Sequence, residues 1–188
     1  SSLPFSYDAD SYAASGSSLS QADWRRANIT NLVGEMYDTI KAHDPSVTFG
    51  ISPRGIVEQD YDLIYADVAY WASHEGYCDY LAPQIYYGFE HATADYASVL
   101  KEWSDMTTAS GVSLRIGLAA YKSGSTDQYA GSGSTEWTES TDIIARQIDL
   151  SRQYENVDGI ILFRYEQIFV SPNASMQVEK KNFTALLQ

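Results

Sequence analysis

Three stretches of the chain, Val47 to Gly55, Tyr80 to Gly88 and Ser113 to Tyr121, begin 33 residues apart, and each runs from apolar β-forming residues into a polar, aromatic loop. A period of that length holds one strand, one helix and their connections, so the chain reads as repeated strand and helix units. A fourth apolar run, Gly159 to Phe163, follows a longer interval. A Gly/Ser-rich insertion, Lys122 to Trp137, accounts for most of the excess, and its composition marks a surface loop. Four such units amount to half of a closed eight-stranded barrel.

The segments between the runs are helical in pattern. Ser20 followed by Asp23 has the form of a helix start, and Ile29, Leu32, Val33, Met36, Tyr37 and Ile40 then recur on one face until Pro45. Further helices are expected over Tyr61 to Glu75, closed by Gly76, and over Thr93 to Ser110, closed by Gly111. Two more are expected over Glu139 to Tyr154 and Ala174 to Leu187. The strands fall at Val47 to Ile51, Tyr80 to Tyr86, Ser113 to Ala120 and Gly159 to Arg164. Strands joined through helices run parallel, so the fold class is α/β, with four parallel strands in a single domain spanning 1–188. The loops beginning near Ser52, Gln84, Tyr121 and Arg164 then gather at the carboxyl end, where parallel sheets and barrels bind ligands.

Charge narrows the partners. Twelve Lys and Arg stand against 25 Asp and Glu, a net charge of −13, so the average surface repels phosphate and anionic lipid and no nucleic-acid partner is expected. No apolar run has the length of a membrane span. The single Cys78, just ahead of a buried strand, reads as a small packed hydrophobe. His43, His74 and His91 are scattered and expected on the surface; no metal spacing and no Gly-rich phosphate cradle appear, so no metal or cofactor is expected.

The strand-end loops present Ser52, Arg54, Gln84, Tyr86, Tyr87, Glu90, Tyr121, Lys122, Arg164 and Glu166, a set of hydrogen-bonding groups and rings suited to a polyol. Tyr supplies 15 of the aromatic residues, and a ring with a polar edge suits the C–H face of a sugar. Gln84 and Tyr86 alternate with Ile85 and so share a face. Among the tryptophans, Trp24, Trp71 and Trp103 lie in helices and read as core, while Trp137, at the end of the insertion, could be a sugar platform. Asp8 and Asp10 read as solvated. Arg25 and Arg26 diverge around their helix, and one of them is expected to pair with a carboxylate.

The runs FGISPRGI at Phe49 to Ile56, DYLAPQIYYG at Asp79 to Gly88, GLAAYKSG at Gly117 to Gly124 and GIILFRY at Gly159 to Tyr165 resemble the glycoside-hydrolase-like family 10 proteins, a bacterial group of secreted or surface-attached barrels. The helix LSQADWRRANITNLV, Leu19 to Val33, is similar to the family pattern as well. The resemblance implies a TIM-type (β/α)8 barrel of which this chain supplies the C-terminal half, with Ser1 to Ser18 matching the loop after the fourth strand. It also implies an extracellular or cell-surface location and a carbohydrate partner. The family's acidic motif of Asp-Asp-Tyr-Phe type has no counterpart before Leu3, which places one catalytic carboxylate outside this chain. Arg54 stands where the family usually has an aromatic residue and Tyr87 where Trp is common, two departures that bear on sugar preference.

Glycoside hydrolysis needs two carboxyl groups flanking the scissile oxygen. Glu166, just past the last strand, is the candidate acid or electrostatic stabiliser, against the alternative of a solvated loop residue; Glu58 and Glu90 lie farther into their loops. The substrate-binding candidates are Ser52, Arg54, Gln84, Tyr86 and Tyr121. The expected function is hydrolysis of an extracellular or cell-wall oligo- or polysaccharide, with a non-catalytic carbohydrate-binding or structural half barrel as the rival. A half barrel leaves strand edges open, so self-association or pairing with an N-terminal half is expected.

Overall fold

A computed structural model describes residues 7–186. Ser1 to Ser6 of the loop expected ahead of the first helix, and Leu187 at the end of the last expected helix, lie outside the described residues. In chain order the elements are α1 (Ala9–Ser15), α2 (Gln21–His43), β1 (Gly50–Ile51), α3 (Val57–Leu63), α4 (Val68–Ser73), β2 (Tyr80–Leu81), α5 (Tyr96–Met106), β3 (Ser113–Ala119), α6 (Glu136–Glu139), α7 (Ile143–Ser151), β4 (Val157–Phe163) and α8 (Ala174–Ala185). Single 3-10 turns at Ala120–Lys122 and Gly131–Gly133, and a π-helical turn at Glu166–Val170, complete the framework.

The four strands form one sheet in chain order, and every neighbouring pair is parallel. This is the expected α/β alternation, consistent with half of a TIM barrel. Strands β1 and β2 are shorter than the sequence suggests, because Pro53 and Pro83 carry no N–H to continue a ladder. Contact nevertheless runs on beyond them. The Ala82 N–H donates to the Ile51 carbonyl at 2.7 Å and the Gln84 N–H to the Pro53 carbonyl at 3.0 Å. Arg54 bridges to Gln84 and Gln84 to Gly117, so the sheet reaches into the rim.

Alternation divides the sheet into two faces. Leu81, Ile85, Leu114, Ile116 and Leu118 are fully buried in one core with Trp71, Tyr96, Leu100, Trp103, Ile143 and Ile144 from the helices. Each such aliphatic side chain contributes roughly 1.5–3 kcal/mol through burial. The other face carries Gly50, Ser52, Tyr80, Gln84, Tyr86, Arg115, Gly117, Ile161 and Phe163. There Ile161 and Phe163, in a seven-residue strand, are 42% and 45% exposed, as the inner wall of a half barrel would be. Deep on this face the Arg115 guanidinium lies 3.9 Å over the Tyr80 ring and pairs with Asp158 at 3.3 Å. Gly50 gives the Tyr80 ring its room, since a Cβ there would stand 2.0 Å from the ring.

Several local expectations are corrected. The helix expected over Tyr61 to Glu75 is two helices, α3 and α4, separated at Tyr65, whose φ of 58° cannot continue a right-handed helix. Asp67 restarts the chain as a helix by accepting the Tyr70 N–H at 3.1 Å. The insertion is ordered by its 3-10 turns and α6, and α7 is shorter than the helix expected there. His91 is buried, with Nδ1 accepting the Ala94 N–H at 3.1 Å, whereas a surface position was expected. Asp8 binds Arg25 through both carboxylate oxygens at 2.6 Å each, and Arg26 pairs with Asp23 at 2.7 Å. Asp8 is therefore tied down, and both arginines pair where one was expected to. Cys78 is buried as expected, and burial pushes its thiol up to about 12, which leaves it inert.

Candidate functional site

Because the strands are parallel, the residues after their carboxyl ends share one rim. At β1 and β2, the Ser52 hydroxyl donates to the Ala82 carbonyl at 2.9 Å, and the Gln84 amide lies 3.4 Å from both the Ser52 carbonyl and its hydroxyl. Ser52 and Arg54 remain exposed, and Gln84 is half-buried. The Arg54 backbone is held from below: its N–H donates to Oδ1 of Asp60 at 3.3 Å. Asp60 is completely buried, Oδ2 has no partner among the described residues, and burial raises the carboxyl to about 6 against the opposing pull of Arg54.

At β2 to β4 the rim is aromatic. The Tyr86 ring stacks on Phe163 at 5.7 Å between centroids, and Tyr121 meets both edge-on at 6.0 Å. Tyr121 and Phe163 are partly exposed, so the cluster offers ring surface to a ligand rather than closing on itself. Burial, and then the neighbouring Tyr121, raises the Tyr86 phenol; burial, and then Asp127, raises that of Tyr121. Both stay protonated and able to donate at neutral pH. Phe163 was not singled out in the sequence, where GIILF reads as a uniformly buried strand; alternation along β4 is the signal that would have exposed it. The bond from Phe163 to Arg164 is a cis peptide.

Glu166 opens the π-helical turn, which packs against the 3-10 turn containing Tyr121. It is exposed and pairs with Arg164 at 3.3 Å. Of the other rim carboxylates, Asp60 of α3, Glu136 of α6 and Asp127 are buried and hold neighbouring backbone or an ion pair. Lys122 Nζ donates to the Tyr86 carbonyl at 2.6 Å and pairs with Asp127. Burial works against the Asp127 carboxylate, but hydrogen bonds from Lys122 and the Tyr129 N–H outweigh it and hold the group below its ordinary range. Glu136 accepts the N–H groups of Phe89 and Glu90 at 2.9 and 3.0 Å, fixing the loop after β2. Trp137 is 1% exposed and packs beside Gly88, so it anchors the insertion and offers no platform to a sugar, contrary to the sequence expectation.

The structure thus joins Ser52, Arg54 and Gln84 in one group and Tyr86, Tyr121 and Phe163 in another along the same rim, with Glu166 in the turn that packs against the one containing Tyr121. This combination of neutral donors, one guanidinium, aromatic faces and an exposed carboxylate can bind and orient a polyol.

The chain is 32% identical over 169 residues to the glycosyl hydrolase DigH of Escherichia coli strain K12, a match covering 81% of this chain and 37% of that protein. It is 35% identical over 165 residues to the glycosyl hydrolase YngK of Bacillus subtilis strain 168, covering 80% of this chain and 31% of that protein. The chain therefore spans well under half the length of either relative. The family model for glycosyl hydrolase-like 10 proteins matches residues 4–132, from ahead of α1 into the insertion after β3, and the chain belongs to the glycosyl hydrolase-like 10 family.

Proposed function

We propose that the chain forms the C-terminal half of a glycoside hydrolase barrel and acts on an oligo- or polysaccharide of the cell wall or the extracellular space. The observation that carries this reading is the cluster of Tyr86, Tyr121 and Phe163 at the strand ends, on the same rim as Ser52, Arg54 and Gln84. A sugar ring laid on the aromatic surface would direct its hydroxyls at the amide, guanidinium and phenol groups. Glu166 is the group at this rim that serves as acid or as stabiliser of an oxocarbenium-like state. The second carboxylate that hydrolysis requires belongs, in this reading, to the part of the relatives' length that the chain does not span.

The test is turnover of cell-wall and plant glycans by the longest natural form of the protein, with Glu166→Gln compared at equal folding. A loss of roughly 100-fold or more in kcat with binding retained supports the role of Glu166. Unchanged turnover removes Glu166 from the chemistry. Binding without any hydrolysis by the natural protein would favour a non-catalytic module. That second reading has its own support: the buried acids Asp60, Asp127 and Glu136 are committed to holding backbone and ion pairs.

A further inference from the structure

Tyr121 has a second side. Beyond the aromatic cluster it forms one wall of a separate cavity of about 570 Å³, lined also by Ser125, Thr126, Gln128 and Tyr129 of the insertion. Tyr129 is 79% exposed. The loop is fastened at many points. The Tyr129 N–H donates to Oδ1 of Asp127 at 3.1 Å, and the Asp127 N–H donates to the Ser134 carbonyl at 2.9 Å. The Ala92 N–H reaches across from the β2 loop to the Ala130 carbonyl at 3.0 Å, and the Gly124 N–H reaches the Trp137 carbonyl at 2.8 Å. Asn173 donates to the Ser123 carbonyl at 2.8 Å, tying the start of the loop to the cap of α8. Gly133 lies flat against the Glu90 carbonyl, where a Cβ would stand 2.1 Å away.

Tyr129 is therefore presented by a rigid support, with its ring to solvent. The cavity's chemistry is as informative as its shape. Its charged lining groups, Lys122 and Asp127, neutralise one another in an ion pair that is largely buried. The remaining lining residues are two tyrosines, one glutamine, one serine and one threonine, all uncharged. A phosphate or carboxylate ligand would find no spare cation, and an apolar ligand would strand the amide and hydroxyls. Neutral polyhydroxylated rings satisfy both the aromatic faces and the polar groups.

We infer that the insertion after β3 carries a second sugar subsite, with Tyr129 as its platform and Gln128, Ser125 and Thr126 as its hydrogen-bonding groups. It is continuous with the rim site through Tyr121. This inference rests on the proposed carbohydrate function and deepens it: the ligand is a chain of several sugar units, held at the rim and again one or more units away. Tyr129 is a specificity residue for chain length.

The experiment is calorimetric titration of the longest natural form with short and long members of cello-, chito- and xylo-oligosaccharide ladders. It is run for the natural protein, Tyr129→Ala, Tyr129→Trp and Tyr86→Ala. Tyr129 is exposed, so its replacement leaves the melting temperature unchanged. The natural protein should bind long oligomers more tightly than short ones. Tyr129→Ala should lose that gain, weakening long oligomers roughly tenfold while short ones bind as before. Tyr129→Trp should retain it. If Tyr129→Ala matches the natural protein on every oligomer while Tyr86→Ala abolishes binding, the second subsite is overturned and the rim site stands. If the natural protein binds no member of any ladder, the carbohydrate reading itself fails, and the subsite with it.

Discussion

Glu179 of α8 accepts the backbone N–H of Ile143 at 2.8 Å, so one helix supplies the cap that the first turn of α7 lacks from its own N-cap residue, Asp142. The same oxygen lies 3.4 Å from the Ile144 nitrogen, while Oε2 is buried without a partner among the described residues. Burial raises this carboxyl from 4.5 to about 7. The folded protein thus holds the proton more tightly than the unfolded chain does. The contribution of Glu179 to stability is fully present below about 4.5 and is lost as the pH rises through about 7. Glu179→Gln should remove that dependence, leaving the variant more stable than the parent above neutrality by about 1–3 kcal/mol. Glu179→Ala, which deletes the cap, should cost about 1–2 kcal/mol at acid pH. Urea unfolding on both sides of neutrality checks both variants.

Asp60 couples the core to the rim. Its carboxylate supports the Arg54 N–H from a fully buried position, and its raised value of about 6 has the same sign as that of Glu179: stability present below 3.8 is lost through about 6. Asp60→Asn keeps an acceptor for Arg54 and should flatten the pH dependence of unfolding over that window. Asp60→Ala should release the Arg54 loop and weaken oligosaccharide binding roughly three- to tenfold, while binding in Asp60→Asn stays within about twofold of the parent. Titration calorimetry on the two variants distinguishes loop support from charge.

The fastening of the insertion is testable apart from its sugar chemistry. In Gly133→Ala the new Cβ meets backbone, the Glu90 carbonyl, which cannot rotate aside. The two loops must separate, at a cost of about 1–3 kcal/mol. Hydrogen exchange of the Ala92 and Asp127 amides, both bonded across or within the insertion, should accelerate in this variant while the core amides of β3 do not.

Open edges make a further prediction. Among the described residues, β1 and β4 each lack a strand neighbour on one side. Beside β4 lies a cavity of about 370 Å³ lined by Ile148, Ile160, Leu162 and Phe183, and Leu32 and Met36 of α2 are 56% and 45% exposed. The 188-residue chain produced alone should self-associate or bind the N-terminal half when both are supplied. Elution as a strict monomer across a wide concentration range, with no uptake of that half, contradicts it.

The strand rhythm was legible because a parallel unit needs an apolar run, a turn and a helix at near-constant spacing, and that pattern is local. Gln84 and Tyr86 could be placed on one face by alternation alone. The break at Tyr65 was not legible: no Gly or Pro marks it, and Asp67 as a cap is visible only once the helix is known to restart there. Glu136 and Glu179 hold backbone far away in the chain, and nothing near them in sequence names their partners; Asp60 holds Arg54 only a few residues back, but no local pattern marks an acid in α3 as its acceptor. Trp137 sat in a polar insertion and read as exposed, yet a polar loop of that length needs an anchor, and its indole is that anchor. Phe163 was hidden by the opposite error, since an apolar strand in a half barrel has only one face against helices.

The most direct measurement is a crystal structure of the longest natural form carrying Glu166→Gln, grown with an oligosaccharide from the tightest-binding ladder. The account predicts a sugar ring in van der Waals contact with Tyr86, Tyr121 or Phe163, its hydroxyls bonded to Gln84 and Arg54, and Glu166→Gln facing a glycosidic oxygen. A glycan bound at the amino ends of the strands, around Tyr80 and Arg115, or on the outer helices, would contradict it.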